Sequence, residues 1–201
     1  MCLVKLWQII HPSSYYSRKY PSAPIFYKGR WLPKNTPIIL DVRYFFTNPV
    51  CYDVQKIASE FKGSDDEKAT AALEWVRQNI LYLPDKWQFG LEDLWLFPYE
   101  TLALKKGDCE DGAILLANLL VAAGIPAWRV RLSCMTRHIY LTYYSKSRKW
   151  IILDWTTSEN PSWLGEVIFS WTRNESYYGD FEADRGTLEV NVPGGKVLIE
   201  Q

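Results

Sequence analysis

Lys106-Gly107-Asp108-Cys109-Glu110-Asp111-Gly112 leads into an apolar run, Ala113 to Ala123, that stops at Gly124-Ile125-Pro126. Asp108 is a favourable N-cap, the acids at 110 and 111 suit a first helical turn, and Gly124 followed by Pro126 is a stop signal. A helix therefore begins at a cysteine. Beyond its first turn only Asn118 is polar, so the helix is expected to be buried on nearly every side, with Cys109 at its accessible end. The N–H groups at such an end carry partial positive charge, which favours a thiolate and can receive a developing oxyanion. A nucleophile would sit here. A lone cysteine at a cap is more often structural, so the weight falls on what accompanies it.

The 201 residues, 48% hydrophobic and 23% charged, suit a single domain with a substantial core. A formal net charge of zero gives no drive toward nucleic acid or an anionic membrane. Ten tryptophans and thirteen tyrosines are a surplus that can line grooves or interfaces. Cys2, Cys51, Cys109 and Cys134 are widely spaced and form no C-x-x-C pair, which argues against a zinc site or a disulfide scaffold. The apolar run in residues 1–10 is broken by Lys5 and Gln8 and lacks a small-residue cleavage site, and no run is long enough to span a bilayer. The default compartment is cytoplasmic, with a particle-associated or otherwise exported protein reading the same way.

Residues 1–50 form an aromatic, proline-rich arm expected to pack on the core, with strand-like pieces at Ile25 to Trp31 and Ile38 to Phe46. Residues 51–160 carry the core. Asp53 to Lys62 predicts a helix closed by Gly63, and Ser64-Asp65-Asp66-Glu67 is a capping box opening a second helix to about Ile80. Pro84 to Thr101 reads as a loop whose aromatics could wall a groove over the thiol. Ala127 to Met135 suggests a strand. In the extension over 161–201, Gly165 to Trp171 fits a strand or a helix, with strand preferred. Asn174-Glu175 looks like a turn, Tyr177 and Tyr178 are candidates for the groove, and Thr187 to Val192 with Lys196 to Glu200 predicts a terminal hairpin.

His138 to Tyr144 and Trp150 to Trp155 predict a hairpin across the polar turn Ser145-Lys146-Ser147. Setting Ile139 opposite Leu153 and Leu141 opposite Ile151 buries one face, centres the turn on Lys146 and places His138 opposite Asp154. Opposed residues have Cβ atoms roughly 4.5–5.5 Å apart, within reach of an imidazole–carboxylate hydrogen bond. A histidine so held is an oriented base, and a cysteine at a helix N-terminus is its natural client. His11, beside Pro12, has no partner of this kind and reads as a surface residue.

The series Gly107-Asp108-Cys109-Glu110-Asp111 at a helix start, His138 opening a strand and Asp154 ending the next resembles the transglutaminase-like superfamily, particularly its bacterial cysteine peptidases. Asp93-Leu94-Trp95-Leu96-Phe97-Pro98-Tyr99-Glu100-Thr101-Leu102 is similar to the segment those peptidases carry before their cysteine, and the likeness spans about residues 65–156. The resemblance implies an α+β, papain-like or transglutaminase-like core, in which an antiparallel β-sheet packs against a central helix that starts at the catalytic Cys109. It also implies a peptide or protein substrate.

On this reading Cys109 attacks an amide carbonyl, His138 moves the proton and Asp154 fixes the imidazole tautomer. The Cys109 N–H would meet the oxyanion together with the indole of Trp95 or the amide of Gln88. The thioester then goes to water, as in a peptidase, or to an amine, as in a transglutaminase. The chemistry requires no cofactor. Asp108, Glu110 and Asp111 should, however, raise the thiol pKa, so something must offset them. Two readings stand: they cap the helix and face solvent, or they hold a hard cation. The corresponding acids in the peptidase family can bind calcium, which makes this trio a candidate Ca²⁺ site. A rival from another class is a catalytically idle interaction protein on the same fold, meeting a protein partner through the amino-terminal arm or the terminal hairpin.

Overall fold

The computed structural model describes residues 22–32, 36–47, 51–156, 167–178, 188–192 and 195–199. Among these, the helices are α1 (Tyr52–Ala58), α2 (Asp65–Asn79), a single turn α3 (Asp85–Gln88), α4 (Pro98–Leu104) and α5 (Cys109–Ala122). The strands are β1 (Phe26–Leu32), β2 (Thr36–Asp41), β3 (Leu81–Tyr82), β4 (Lys106–Gly107), β5 (Val130–Cys134), β6 (Ile139–Tyr144), β7 (Trp150–Leu153), β8 (Phe169–Trp171), β9 (Ser176–Tyr178), β10 (Leu188–Val192) and β11 (Gly195–Ile199).

α5 begins at Cys109, as its cap signals predict, and every residue from Glu110 to Leu120 is buried. It packs against α1, α2 and α4 on one side and against β5 and β6 on the other. Each fully buried leucine or isoleucine contributes on the order of 1.5–3 kcal/mol relative to exposure, so this helix anchors the core. Asn118, the polar residue in the run, donates to the carbonyls of Phe45 and Ile114, both at 2.9 Å, and accepts from the Thr47 N–H at 2.8 Å. A buried amide is tolerated because it is satisfied, and it ties the 3₁₀ turn Val42–Phe45 to the helix.

Around α5 stands a seven-stranded sheet in the order β11-β10-β7-β6-β5-β8-β9, antiparallel except where β10 runs parallel to β7. The fold is α+β. The β6–β7 hairpin forms, but in a different register from the one the apolar pattern suggested. Leu141 lies opposite Leu153 and Tyr143 opposite Ile151, and the turn runs from Ser145 to Lys149, closed by Ser145 N–H to Lys149 O at 2.8 Å. The shift is two residues on the partner strand. It preserves which face each side chain occupies, and face burial cannot distinguish registers two residues apart.

The predicted helix from Asp53 ends at Ala58, after which Glu60 and Phe61 donate to Ile57 and Ala58, three residues back, in tightened turns. The stretch from Pro84 to Thr101 is less loop-like than expected. It holds α3 and the start of α4, where Pro98 takes the first helical position and the Glu100 carboxylate accepts from the Phe97 N–H at 2.7 Å. Ala127–Arg129 is a 3₁₀ turn before β5 rather than part of the strand. Phe169–Trp171 is a strand, and Thr172 N–H to Glu175 O at 2.7 Å closes the turn expected near Asn174. Tyr177 is buried with its ring 4.7 Å from the Arg131 guanidinium, and neither Tyr177 nor Tyr178 lines the cleft over Cys109. The predicted terminal hairpin is formed by β10 and β11. His11 and Cys2 lie outside the described residues.

β1 and β2 form a separate antiparallel pair. Tyr27 stacks on Trp95 with ring centroids 4.6 Å apart, and Arg30 forks onto Glu100 at 2.6 and 2.7 Å. These contacts fasten the hairpin beside the amino-terminal end of α5. Among the described residues no helix is long and apolar enough to cross a membrane.

Candidate active site

A cleft of about 770 Å³ opens over the first turn of α5 and is lined by Cys109, His138, Asp108 and Glu110, with walls from β1 and the β5–β6 turn. Cys109 is half-buried, and its thiol donates to Glu110 Oε2 at 3.1 Å. Its carbonyl accepts from the indole N–H of Trp155 at 3.0 Å. Gly112 permits this approach: a Cβ there would lie 2.1 Å from the Trp155 ring. One residue beyond Asp154 therefore clamps the turn that carries the thiol, a role sequence reading did not assign. The available signal was a glycine three residues after Cys109 and a tryptophan adjoining Asp154.

His138 Nε2 lies 2.6 Å from Asp154 Oδ2. Asp154 is 1% exposed, and its other oxygen accepts from the N–H and hydroxyl of Thr156, both at 2.9 Å. Arg77 donates to the Asp154 carbonyl at 2.5 Å. His138 and Asp154 are not directly opposed in the ladder as predicted. They meet diagonally, because Asp154 stands just past the end of β7 and His138 just before β6.

Trp95 lines the cleft, but its indole N–H donates to Asp93 Oδ1 at 3.1 Å and its ring is stacked between Tyr27 and Trp171. The donor needed at an oxyanion is thus engaged elsewhere. Gln88 does not line the cleft, and its carboxamide is buried without a hydrogen-bond partner among the described residues.

Around the thiol the electrostatics are unfavourable to a thiolate. Burial pushes the Cys109 thiol well above its ordinary range, the adjacent Glu110 adds to this, and a hydrogen bond from the Ile139 backbone acts in the opposite direction. Burial likewise holds Glu110 and Asp111 well above the usual carboxylate range, with the charge of Asp108 contributing to both.

Asp108 sits at the N-cap position, but its side chain turns to the Asp85 N–H at 3.4 Å, and Asp111 reaches back to the Asp108 N–H at 3.2 Å. Asp111 also accepts from the Leu96 N–H at 2.7 Å. Two further acids join them. Asp85, Asp108 and Asp111 bring carboxylate oxygens within 4.8 Å of one another, and so do Asp85, Asp93 and Glu110. Asp85 is 2% exposed and accepts from the Leu94 N–H, while burial and the charge of Asp108 push its pKa up to about 7. Asp85 Oδ1, Asp108 Oδ1 and Glu110 Oε1 are buried without hydrogen-bond partners among the described residues. Carboxylates brought this close, three of them with an orphaned buried oxygen, fit a hard divalent cation, which takes six to eight oxygen ligands when it is calcium. Sequence reading found three of the five acids. Asp85 and Asp93 lie 23 and 15 residues before Asp108, in a stretch read as loop, and only folding brings them in.

Residues 54–155 match the family model of the transglutaminase-like superfamily, and the chain belongs to that superfamily. Among solved structures it is similar to Legionella pneumophila LapG. The EGTA-treated form matches at 24% identity over 67% of this chain and 88% of that one, with a TM-score of 0.45. The calcium-bound form matches at 24% identity over the same shares, with a TM-score of 0.44. A candidate protease from Parabacteroides distasonis matches at 14% identity over 80% of this chain and 41% of that one, with a TM-score of 0.48. Comparison with curated protein sequences gives no match.

Proposed function

We propose that the protein is a thiol-dependent amide hydrolase, a cysteine peptidase acting on a peptide or protein through Cys109, His138 and Asp154. The observation that carries this reading is the 2.6 Å contact between His138 Nε2 and a buried, fully bonded Asp154 in the wall of the cleft that holds Cys109 at a helix N-terminus. With Nε2 committed to Asp154, transfer of the thiol proton falls to Nδ1. The Cys109 thiolate then adds to the scissile carbonyl, and the imidazolium returns the proton to the leaving amine, leaving a thioester. The Cys109 N–H at the start of α5 would meet the oxyanion. Exposed residues at the rim leave the cleft accessible to water, which favours hydrolysis of the thioester over transfer to an amine.

Asp85, Asp93, Asp108, Glu110 and Asp111 would hold a calcium ion, a fit supported by the orphaned buried oxygens of Asp85, Asp108 and Glu110. Bound there, the ion supplies positive charge that offsets the acids around the thiol. Asp108, Glu110 and Asp111 then serve binding rather than solvation.

The test is iodoacetamide labelling of the native protein across pH, read by peptide mass at each cysteine, with and without calcium. Selective labelling of Cys109 below the ~8.5 of a free thiol, stronger with calcium and lost in His138→Ala, is the expected result. A Cys109 that labels no faster than Cys51 and Cys134 in both conditions overturns the catalytic reading.

A further inference from the structure

Two cations in the cleft have no part in the chemistry above. Lys28 stands on β1 and Arg137 on the tight β5–β6 turn, which is closed by Met135 N–H to His138 O at 2.8 Å. Both line the cleft and both are exposed, and neither makes a hydrogen bond or ion pair among the described residues. The acids that share the cleft are engaged with other groups: Asp93 receives the Trp95 indole, Glu92 pairs with Lys86, and Asp108 and Glu110 belong to the cluster beside the thiol.

Lys28 reaches the cleft through a distortion of its strand. In the β1–β2 ladder Tyr27 faces Leu40 and Arg30 faces Ile38, so Lys28 and Gly29 together stand against Ile39 alone. Such a bulge re-aims a side chain, and bulges recur beside active sites for that reason. Gly29 is required here, because a Cβ would lie 1.8 Å from the Tyr27 hydroxyl, the same phenol that accepts from the Trp95 N–H at 2.9 Å. The bulge, the glycine and the tyrosine form one unit that fixes Lys28 at the rim. Arg137 is fixed from the other element by the turn that leads directly into His138.

We propose that Lys28 and Arg137 select the substrate: the cleft takes a peptide segment with acidic side chains beside the scissile bond. This rests on the peptidase reading for the word scissile, but the recognition itself does not need catalysis. Exposed ion pairs each give up to about fivefold, so two together give a preference of about tenfold at low ionic strength that shrinks as salt is added.

The experiment measures binding to the folded Cys109→Ala protein in calcium buffer by fluorescence anisotropy, using pools of dye-labelled decapeptides with randomised centres and flanks fixed as Asp, Asn or Lys. The Asp pool is expected to bind about tenfold more tightly than the Asn pool. Lys28→Glu with Arg137→Glu should reverse the order toward the Lys pool, while Lys28→Arg keeps it. Equal affinities for the three pools, no binding of any pool, or an order unchanged by the double reversal would overturn the proposal. Iodoacetamide, being uncharged, reports the reactivity of Cys109 independently. A thiol that fails that assay in a protein that still prefers the Asp pool refutes the peptidase, and a reactive thiol with charge-blind binding refutes the selection.

Discussion

Asp154 bonds His138 through one oxygen and Thr156 through the other, so its carboxylate has a single orientation available. Asp154→Asn preserves the shape but replaces an acceptor with an amide that can present its donor to the ring, favouring the wrong tautomer. Turnover, or the rate of Cys109 alkylation near neutral pH, is expected to fall by about 10²–10⁴-fold with little change in melting temperature. A loss below tenfold would show that the carboxylate does not orient the base. At this scale the residues proposed for the chemistry were legible one by one. Cys109 carries its cap signals in the six residues around it, and His138 and Asp154 stand at strand ends that their apolar neighbours mark. Trp95 was legible as a groove residue but not as a spent donor, because Asp93, which takes its N–H, is recognisable as its partner only in the folded chain.

At the scale of elements, the first turn of α5 is set by contacts from elsewhere. Gly112→Ala would drive a methyl into the Trp155 ring, which is itself held by its hydrogen bond to the Cys109 carbonyl. The ring cannot move without releasing the turn, so the expected cost is about 1–3 kcal/mol, seen as a lower urea midpoint with slower Cys109 alkylation. An unchanged midpoint would mean that the indole repacks freely.

The acid cluster beside that turn gives a signed pH dependence. Asp85 titrates at about 7 rather than at the usual 3.8, through burial first and the charge of Asp108 second. Between those values the folded chain binds a proton that the unfolded chain has released, so stability is lost as pH rises through about 7. The metal-free melting temperature is expected to fall from about pH 5 to about pH 8. Millimolar calcium, which takes the ionised acids, should raise it more at the higher pH. A calcium effect that is absent, or larger at pH 5, would count against the site. Helix ends with local caps were readable in advance, as Ser64 and Glu67 show with reciprocal bonds of 3.4 and 2.7 Å. The β6–β7 register was not, since a two-residue shift leaves every side chain on the same face.

Across the whole molecule, the β1–β2 hairpin and the core meet through few polar contacts that reach far along the chain. Arg30 joins Glu100 and the Trp95 carbonyl across 70 and 65 residues, and Tyr27 Oη bonds the Trp95 N–H across 68. Arg30→Ala is expected to cost about 1 kcal/mol in global stability, because the pair is partly exposed, yet to loosen the wall of the cleft. Limited proteolysis should then cut within residues 22–47 well before the core, at a temperature where the parent is intact. Simultaneous cleavage of both would mean that the hairpin has no separate stability.

The sequence by itself determined the helix that opens at Cys109, the capping box at Ser64, the α+β class and the three residues proposed for the chemistry. The helix and the capping box depend on interactions within a turn or two of the chain, His138 and Asp154 stand at strand ends that an apolar periodicity marks, and the α+β class followed from the family resemblance those residues carry. Only the tertiary structure decided the hairpin register, the clamp from Trp155, the convergence of Asp85 and Asp93 on Asp108, and the arrival of Lys28 in the cleft. Those features depend on distances between segments far apart in sequence, which are set when α5 is buried between helices and sheet and which no local pattern encodes.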